Sequence, residues 1–438
     1  MRGLIVALIG AYVLGSRPTG AAEPWTLERA LEEANKSNPD VRLAIQRVAV
    51  AQAGLEQANA AAGPRLQFQS SYTSTDNPMM AFGSILNQRA YPYPPAAPLN
   101  FNDVPSVDDL NMRGLATMPL YAGGRISANR GAARASAEAS AAESLAVRNA
   151  LAFEVARAFY TIQKTRVFVQ AAEALVKSLE LNLGIARKRL EAGTLVKAEV
   201  LDFEVRLAGA RESLVRARNA QTLALRVLRN LLGNEEPDFA VSSEMPDVAP
   251  PPRQDFSNRP EMATARLREQ AATDQVRVAK GAYLPTLSAF GSLDYDYGWK
   301  YESDGTSYTV GALLQWDIWD GHSTRAKVRE TQANLEAARE EQRKIRFTID
   351  LEAEEARLAL RSADERLGVS EKVVAQAEES AALNRSRFEQ GQALPSILLD
   401  AEAALVSARV RRAEAESDRR IAIAFLRKAC GVPQLDNK

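Results

Sequence analysis

Residues 190–207 read LEAGTLVKAEVLDFEVRL, and residues 388–405 read FEQGQALPSILLDAEAAL. Gly193 maps onto Gly391, Asp202 onto Asp400 and Glu204 onto Glu402, each 198 positions apart. The register continues outward, pairing Arg189 with Arg387, Leu228 with Leu426, Arg229 with Arg427 and Gly233 with Gly431. A correspondence held without a gap over more than 40 residues is a duplicated unit. Upstream, Asn38-Pro39 and Arg259-Pro260 open helices, and Gly63-Pro64 and Leu284-Pro285 close them, at an offset of 221. Tyr121-Ala122-Gly123 and Trp319-Asp320-Gly321 return to 198, so the first half carries 23 extra residues between positions 64 and 121. The stretch 76–111 is rich in Pro, Asn and Asp and reads as a long loop, with a short counterpart near 298–305.

Alternating segments flank each loop. Leu66, Phe68, Ser70 and Tyr72 oppose Gln67, Gln69, Ser71 and Thr73. Leu287, Ala289, Gly291, Leu293, Tyr295 and Tyr297 oppose Thr286, Ser288, Ser292, Asp294 and Asp296, with Phe290 out of phase. Tyr308, Val310, Ala312, Leu314, Trp316 and Ile318 repeat the pattern, and Met112, Ala116, Met118 and Leu120 do so more weakly. A period of two gives a strand with one apolar and one wet face, so each half holds a β-hairpin. The remainder is helical. No Pro falls between Pro119 and Pro237 or between Pro285 and Pro395. Helices are expected over 123–191 and 321–389, each roughly 70 residues or about 100 Å long. Gly193 and Gly391 break them, and return helices run over about 198–232 and 396–430.

Composition narrows the function. The 438 residues carry 55 basic and 55 acidic side chains, which argues against a broad basic surface for nucleic acid. A single Cys, Cys430, excludes an intrachain disulfide, and with a single His, His322, it leaves no His/Cys metal site and no His-dependent triad. No phosphate loop or nucleophile–base pair stands out, so neither enzyme activity nor a metal or other cofactor is expected. At the start, Met1-Arg2, the apolar run 3–15 and Gly20-Ala21-Ala22 form a signal peptide over 1–22, the alternative being an uncleaved anchor. Beyond Glu23 no stretch approaches the ~20 apolar residues of a membrane-spanning helix.

Four strands cannot close a membrane barrel alone. An open sheet has two unpaired edges that lipid does not tolerate, and the smallest transmembrane barrels need about eight strands. Several chains must share one barrel, and three would give twelve strands. The alternative is a periplasmic coiled-coil structural or adaptor protein carrying two small hairpins.

The signal peptide, the duplicated helix–hairpin–long helix–helix unit and the RLEAG…EVLDFE and RFEQG…ILLDAE turns together resemble the TolC-type outer membrane factor family. NPDVRLAIQRVAVAQAGLEQANAAAGPRLQFQSSYT and LYAGGR are similar to that family's opening helix, first strand and strand-to-helix junction. The likeness covers nearly the whole mature chain. It implies a homotrimer with a twelve-stranded barrel in outer-membrane lipid above a long periplasmic α-barrel. It also implies a periplasmic adaptor and an inner-membrane pump as partners, and efflux of small toxic compounds. Protein secretion with an ATP-driven transporter is the alternative within the family. The resemblance divides the chain into repeats at 23–233 and 259–432, with hairpins near 64–121 and 285–319. It makes 234–258 an equatorial linker, 433–438 a tail and 76–111 an extracellular loop.

By the same resemblance the paired turns lie at the periplasmic tip, where the gate and the adaptor contact are found. Lys197, Glu199, Asp202 and Asp400 are the candidate gate charges, although Asp202 and Asp400 could instead stabilise helix N-termini through the dipole. The second turn, GQALPS, has no Arg, and Ile397 stands where the family often has an acid. A constriction by Leu195, Val196 or Leu394 therefore competes with charged closure. Gly193, Thr194, Leu195, Gly391, Gln392 and Ala393 are the candidate adaptor contacts, although both glycines also suit a tight turn. Tyr121, Trp316 and Trp319 fall near strand ends as an aromatic girdle or as junction packing. His322 reads as a junction residue.

Overall fold

The computed structural model describes residues 24–91, 104–233, 240–246, 248–251, 256 and 259–435. The expected leader, most of the Pro-rich stretch 91–98 and the last residues of the tail lie outside them. In chain order the elements are α1 (Leu27–Ser37), α2 (Pro39–Ala60), β1 (Arg65–Thr75), α3 (Pro78–Asn87), β2 (Val107–Ala122), α4 (Arg125–Glu191), α5 (Lys197–Leu232), α6 (Pro260–Lys280), β3 (Thr286–Gly298), β4 (Ser303–Gln315), α7 (Ser323–Glu389) and α8 (Pro395–Ala429). The duplication holds to the residue. α4 and α7 are 67 residues each, and both begin and end 198 positions apart. Described residues group into two compact units, one drawn from 1–42, 148–254 and 353–438, the other from 43–147 and 255–352.

In the first unit, α4, α5, α7 and α8 pack through apolar clusters. One of them joins Leu179, Leu183, Ala186, Val200, Phe203, Leu207, Phe388, Leu398 and Leu399. The helix α1 was not anticipated. Thr26 caps it by accepting from the Arg29 N–H, and Asn38 separates it from α2 by donating to the Leu231 carbonyl at 2.9 Å. The segment after α5 straps onto this unit through backbone acceptors. Arg166 donates to the Val241 carbonyl, Gln163 to that of Ser242 and Arg427 to that of Ala249. Trp25 and Val241 form an isolated parallel bridge beside them.

The second unit holds one antiparallel sheet in the order β1-β2-β3-β4. Its register aligns Gln69, Arg113, Asp294 and Ser307 across the four strands, and next to them Ser70, Met112, Tyr295 and Thr306. The expected alternation is therefore continuous across the sheet, with a polar face and an apolar face. Phe290, the residue out of phase, lies on the polar face against Gly311, where a Cβ would come within 2.8 Å of the ring. Two details depart from expectation. The stretch 76–111 is not all loop, because Asn77 caps α3 by accepting from Met79 and Met80 N–H, with Pro78 at its first position. Pro has a fixed φ and lacks an N–H that the first helical position would leave unpaired, so this Pro starts a helix. Secondly, β4 begins at Ser303 and ends at Gln315, leaving Trp316, Ile318 and Trp319 beyond the strand. Among the described residues no helix is long and apolar enough to cross a membrane.

Candidate functional site: the paired turns and the four-stranded sheet

Both turns are built by the same hydrogen bonds. In the first, Gly193 adopts φ +73°, its N–H donates to the Leu190 carbonyl at 3.0 Å, and Thr194 N–H donates to Arg189 at 2.9 Å. In the second, Gly391 adopts φ +79°, donates to Phe388 at 3.0 Å, and Gln392 N–H donates to Arg387 at 2.8 Å. This pair of bonds closes a helix on a left-handed residue, which only Gly accepts without strain. The Thr194 hydroxyl also donates to the Arg189 carbonyl.

The next helix starts differently in each repeat. Val196 and Leu394 are the caps, and neither has a side-chain acceptor. In the first repeat Glu199 reaches back, and its carboxylate accepts from the Val196 N–H at 3.2 Å. In the second, Ile397 holds that place and Pro395 replaces Lys197. Glu199 lies in the first turn of α5, where an acid complements the helix dipole; Asp202 and Asp400 lie one turn further in, where that effect fades. Asp400 instead pairs with Arg206 at 3.1 Å, linking α8 to α5. Lys197 and Asp202 are exposed and form no ion pair among the described residues.

Deeper contacts repeat across the halves. Arg187 pairs with Glu204 at 2.7 Å, and Arg385 pairs with Glu402 at the equivalent place. Arg211–Glu180 and Arg409–Glu378 form a second matched set, at 2.7 and 2.9 Å. Arg189 crosses between repeats. Its guanidinium lies 4.8 Å from the centre of the Phe388 ring and donates to the Glu389 carbonyl at the end of α7. Leu195 and Ala393 are partly buried against the Phe203–Phe388 cluster. Leu394 and Val196 remain 60% and 62% exposed.

The sheet, in the second unit, is a candidate site of its own. Its apolar face is uncovered: Leu66 is 80% exposed, Phe68 73% and Val310 77%. On the opposite face Asp294 accepts from Arg113 at 2.5 Å and from Ser292 at 2.9 Å, and Asn111 donates to Asp296 at 2.9 Å. A sheet satisfied on its wet face and bare on its apolar face has the pattern of a membrane barrel wall, lipid outside and water inside.

The sequence matches the outer membrane efflux protein family over residues 30–234 and 252–432, one match for each repeat. The chain belongs to that family. Such efflux proteins reside in the outer membrane, and the helical part of the fold extends into the periplasm. Relatives include the pyoverdine export outer membrane protein OpmQ of Pseudomonas aeruginosa, 26% identical over 70% of this chain and 67% of its own. The alkaline protease secretion protein AprF of the same organism is 25% identical over 60% of this chain. The outer membrane protein TolC of Vibrio cholerae is 20% identical over 65%. The chain spans 58% of the length of AprF and 68% of that of TolC. Among solved structures, the outer membrane protein VceC of Vibrio cholerae matches with a TM-score of 0.79 at 20% identity, over 93% of this chain and 97% of that one. The Campylobacter jejuni CmeC channel matches at 0.81 and 16%, over 94% and 87%.

On this efflux-protein fold aromatic residues lie near both ends of the strands, and Phe68 and Tyr308 lie between them on the apolar face. Tyr121 reaches that face because a bulge between Pro119 and Tyr121 puts it opposite Leu287. Trp316 donates its indole N–H to the Tyr283 carbonyl at 3.0 Å, and Trp319 is 78% exposed. At the hairpin end, Trp299 packs edge-on against Tyr72 and Tyr297, with centroids 5.7 and 5.1 Å away. Sequence reasoning placed Tyr72 and Tyr297 on the apolar face but missed this second aromatic group; their shared parity with Tyr295 and Tyr308 was the signal. His322 occupies a left-handed turn at φ +71°, and beside it Asp320 accepts from Thr324. Those Thr324 hydrogen bonds hold the Asp320 carboxyl below the ordinary carboxylate range. Among the described residues no cluster could hold a metal ion.

Proposed function

We propose that three copies of the chain close into one duct through the outer membrane. Twelve strands form the barrel, and the long helices form a periplasmic tube that docks a periplasmic adaptor and receives small toxic compounds from an inner-membrane pump. The observation that carries this reading is the sheet. It has an uncovered apolar face and two open edges in a family of outer-membrane proteins, and open edges do not survive in lipid without further strands. The apolar face is the lipid partner. The efflux cargo is favoured because OpmQ, named for export of pyoverdine, matches over more of this chain than AprF does. AprF, named for protease secretion, supports the second reading, a duct for protein secretion driven by an ATP-dependent transporter.

In this reading Gly193, Thr194, Leu195, Gly391, Gln392 and Ala393 present the adaptor contact. Lys197, Asp202 and Asp400 line the periplasmic mouth, and Arg206 ties Asp400 to α5. Glu199 serves its own helix start more than the gate, and Leu195 serves packing, which leaves Val196 and Leu394 as the apolar rivals for closure. An exposed ion pair is worth below about 1 kcal/mol, or up to roughly fivefold in an open–closed ratio. Three copies acting together would give on the order of a hundredfold. Conductance of the purified protein in planar bilayers tests this, comparing wild type with Arg206→Ala and Asp400→Ala. Rising conductance supports the charged tie. Unchanged channels move the gate to the apolar pair Val196 and Leu394. No channel from a folded preparation removes the duct reading.

A further inference from the structure

The extra residues of the first hairpin do not extend away from the sheet. Helix α3 folds back onto its polar face. Val107, fully buried on that face, packs with Ala81 and Ile85 of α3 and with Val104. At the end of α3, Gln88 is fully buried and donates to the Asp108 carbonyl at 2.8 Å and to Asp109 at 2.9 Å. Ser303 of β4 donates to the Gln88 carbonyl at 2.7 Å, and Arg89, at φ +56°, donates to the Thr306 carbonyl at 3.1 Å.

Two glycines make room for this dock. A Cβ at Gly298 would lie 2.2 Å from the Gln88 Oε1, and one at Gly305 would lie 1.9 Å from the Asn87 carbonyl oxygen. Both glycines share the polar face with Asp109, Asp296 and Ser303, as the strand register requires. The dock lies at the hairpin end, away from the strand termini that lead into α2 and α4, so in this family it is the outer end of the barrel.

We propose that α3 is a second constriction of the duct, fixed inside its outer mouth, with Gln88, Gly298 and Gly305 as its positioning residues. A helix is about 10 Å across, so one docked per chain on the wet wall narrows the exit independently of the periplasmic tip. The free edge of α3 carries Met79 and Met80, 86% and 56% exposed, and an apolar edge in a narrow passage resists a water column. The inference rests on the strands closing into a barrel.

The test measures access from outside. Gln69→Cys places a thiol on the polar face, and Ser70→Cys places one on the apolar face; the native Cys430 is buried. Intact cells receive a bulky, membrane-impermeant maleimide. Slow labelling of Gln69→Cys that rises roughly tenfold when Gly305→Val undocks α3 supports the constriction. Should Gly305→Val not assemble, a Gly-Ser linker replacing residues 78–89 makes the same comparison. An equal Gln69→Cys rate with and without α3, while Ser70→Cys stays protected, overturns the constriction and leaves the barrel. Ser70→Cys labelling as fast as Gln69→Cys overturns both.

Discussion

The two turns share a backbone and differ in their side chains. Both end a 67-residue helix on a left-handed Gly with the same pair of N–H bonds, and both carry a matched ion pair below. Yet the first has Lys197, Glu199 and Arg206 where the second has Pro395, Ile397 and Ala404. Duplication fixes shape through a handful of positions, the glycines and buried hydrophobes, and leaves the exposed positions free to diverge. The Arg206–Asp400 pair is the product: its mirror, Ala404 with Asp202, cannot form. In the proposed ring the two kinds of tip would alternate, so each adaptor contact would meet one charged turn and one apolar turn.

The largest expected difference between the repeats lies in the matched ion pairs. Glu402 is 5% exposed and Glu204 40%, so the same bond is made in two environments. Removing a buried partner strands its mate, but Arg385 is half exposed and can turn to water. Glu402→Ala should therefore cost about 2–3 kcal/mol, below the full penalty of a buried pair. Glu204→Ala should cost below about 1 kcal/mol. Local opening free energies from amide exchange in α8 and α5 measure both, and equal values would show that burial does not set the asymmetry.

The glycines should behave alike. A Cβ at Gly193 meets nothing within 4 Å, and one at Gly391 meets only an Arg189 nitrogen at 3.9 Å. Substitution there costs backbone strain alone, about 1–2 kcal/mol for each of Gly193→Ala and Gly391→Ala. Exchange at Thr194 and Gln392 reads the loss. Unequal losses would mean that one turn is held by something beyond its helix end.

What could be read from the sequence follows the same division. The helix limits and the strand faces were legible because Gly193, Gly391 and the apolar alternation recur by a fixed offset, and each local signal agrees with the fold. Helix α3 was hidden because Pro78 and Asn77, read beside the prolines at 92–98, look like loop residues; in fact they cap a helix. Tyr121 reaches the apolar face through a bulge, and a one-residue shift of phase leaves no mark in composition. Arg206 was overlooked because its partner lies 194 positions away and neither repeat contains both residues. The dock of α3 leaves no mark in the sequence, since nothing in Gly298 or Gly305 alone names the helix that fills the space they leave.

The smallest effect is the most informative about Glu199. Exchanging the two residues, Glu199→Ile and Ile397→Glu, gives each turn the other's helix start. Ile397 is 47% exposed, so a carboxylate there loses little burial and can reach the free N–H of Leu394. An acid in the first turn is worth about 0.3–1 kcal/mol, or roughly two- to fivefold in local opening. Exchange at Val196 should speed by that factor in Glu199→Ile, and exchange at Leu394 should slow by it in Ile397→Glu, with conductance unchanged in both. If Glu199→Ile leaves exchange alone and raises conductance, Glu199 faces the mouth as a gate charge, and its bond to Val196 is incidental.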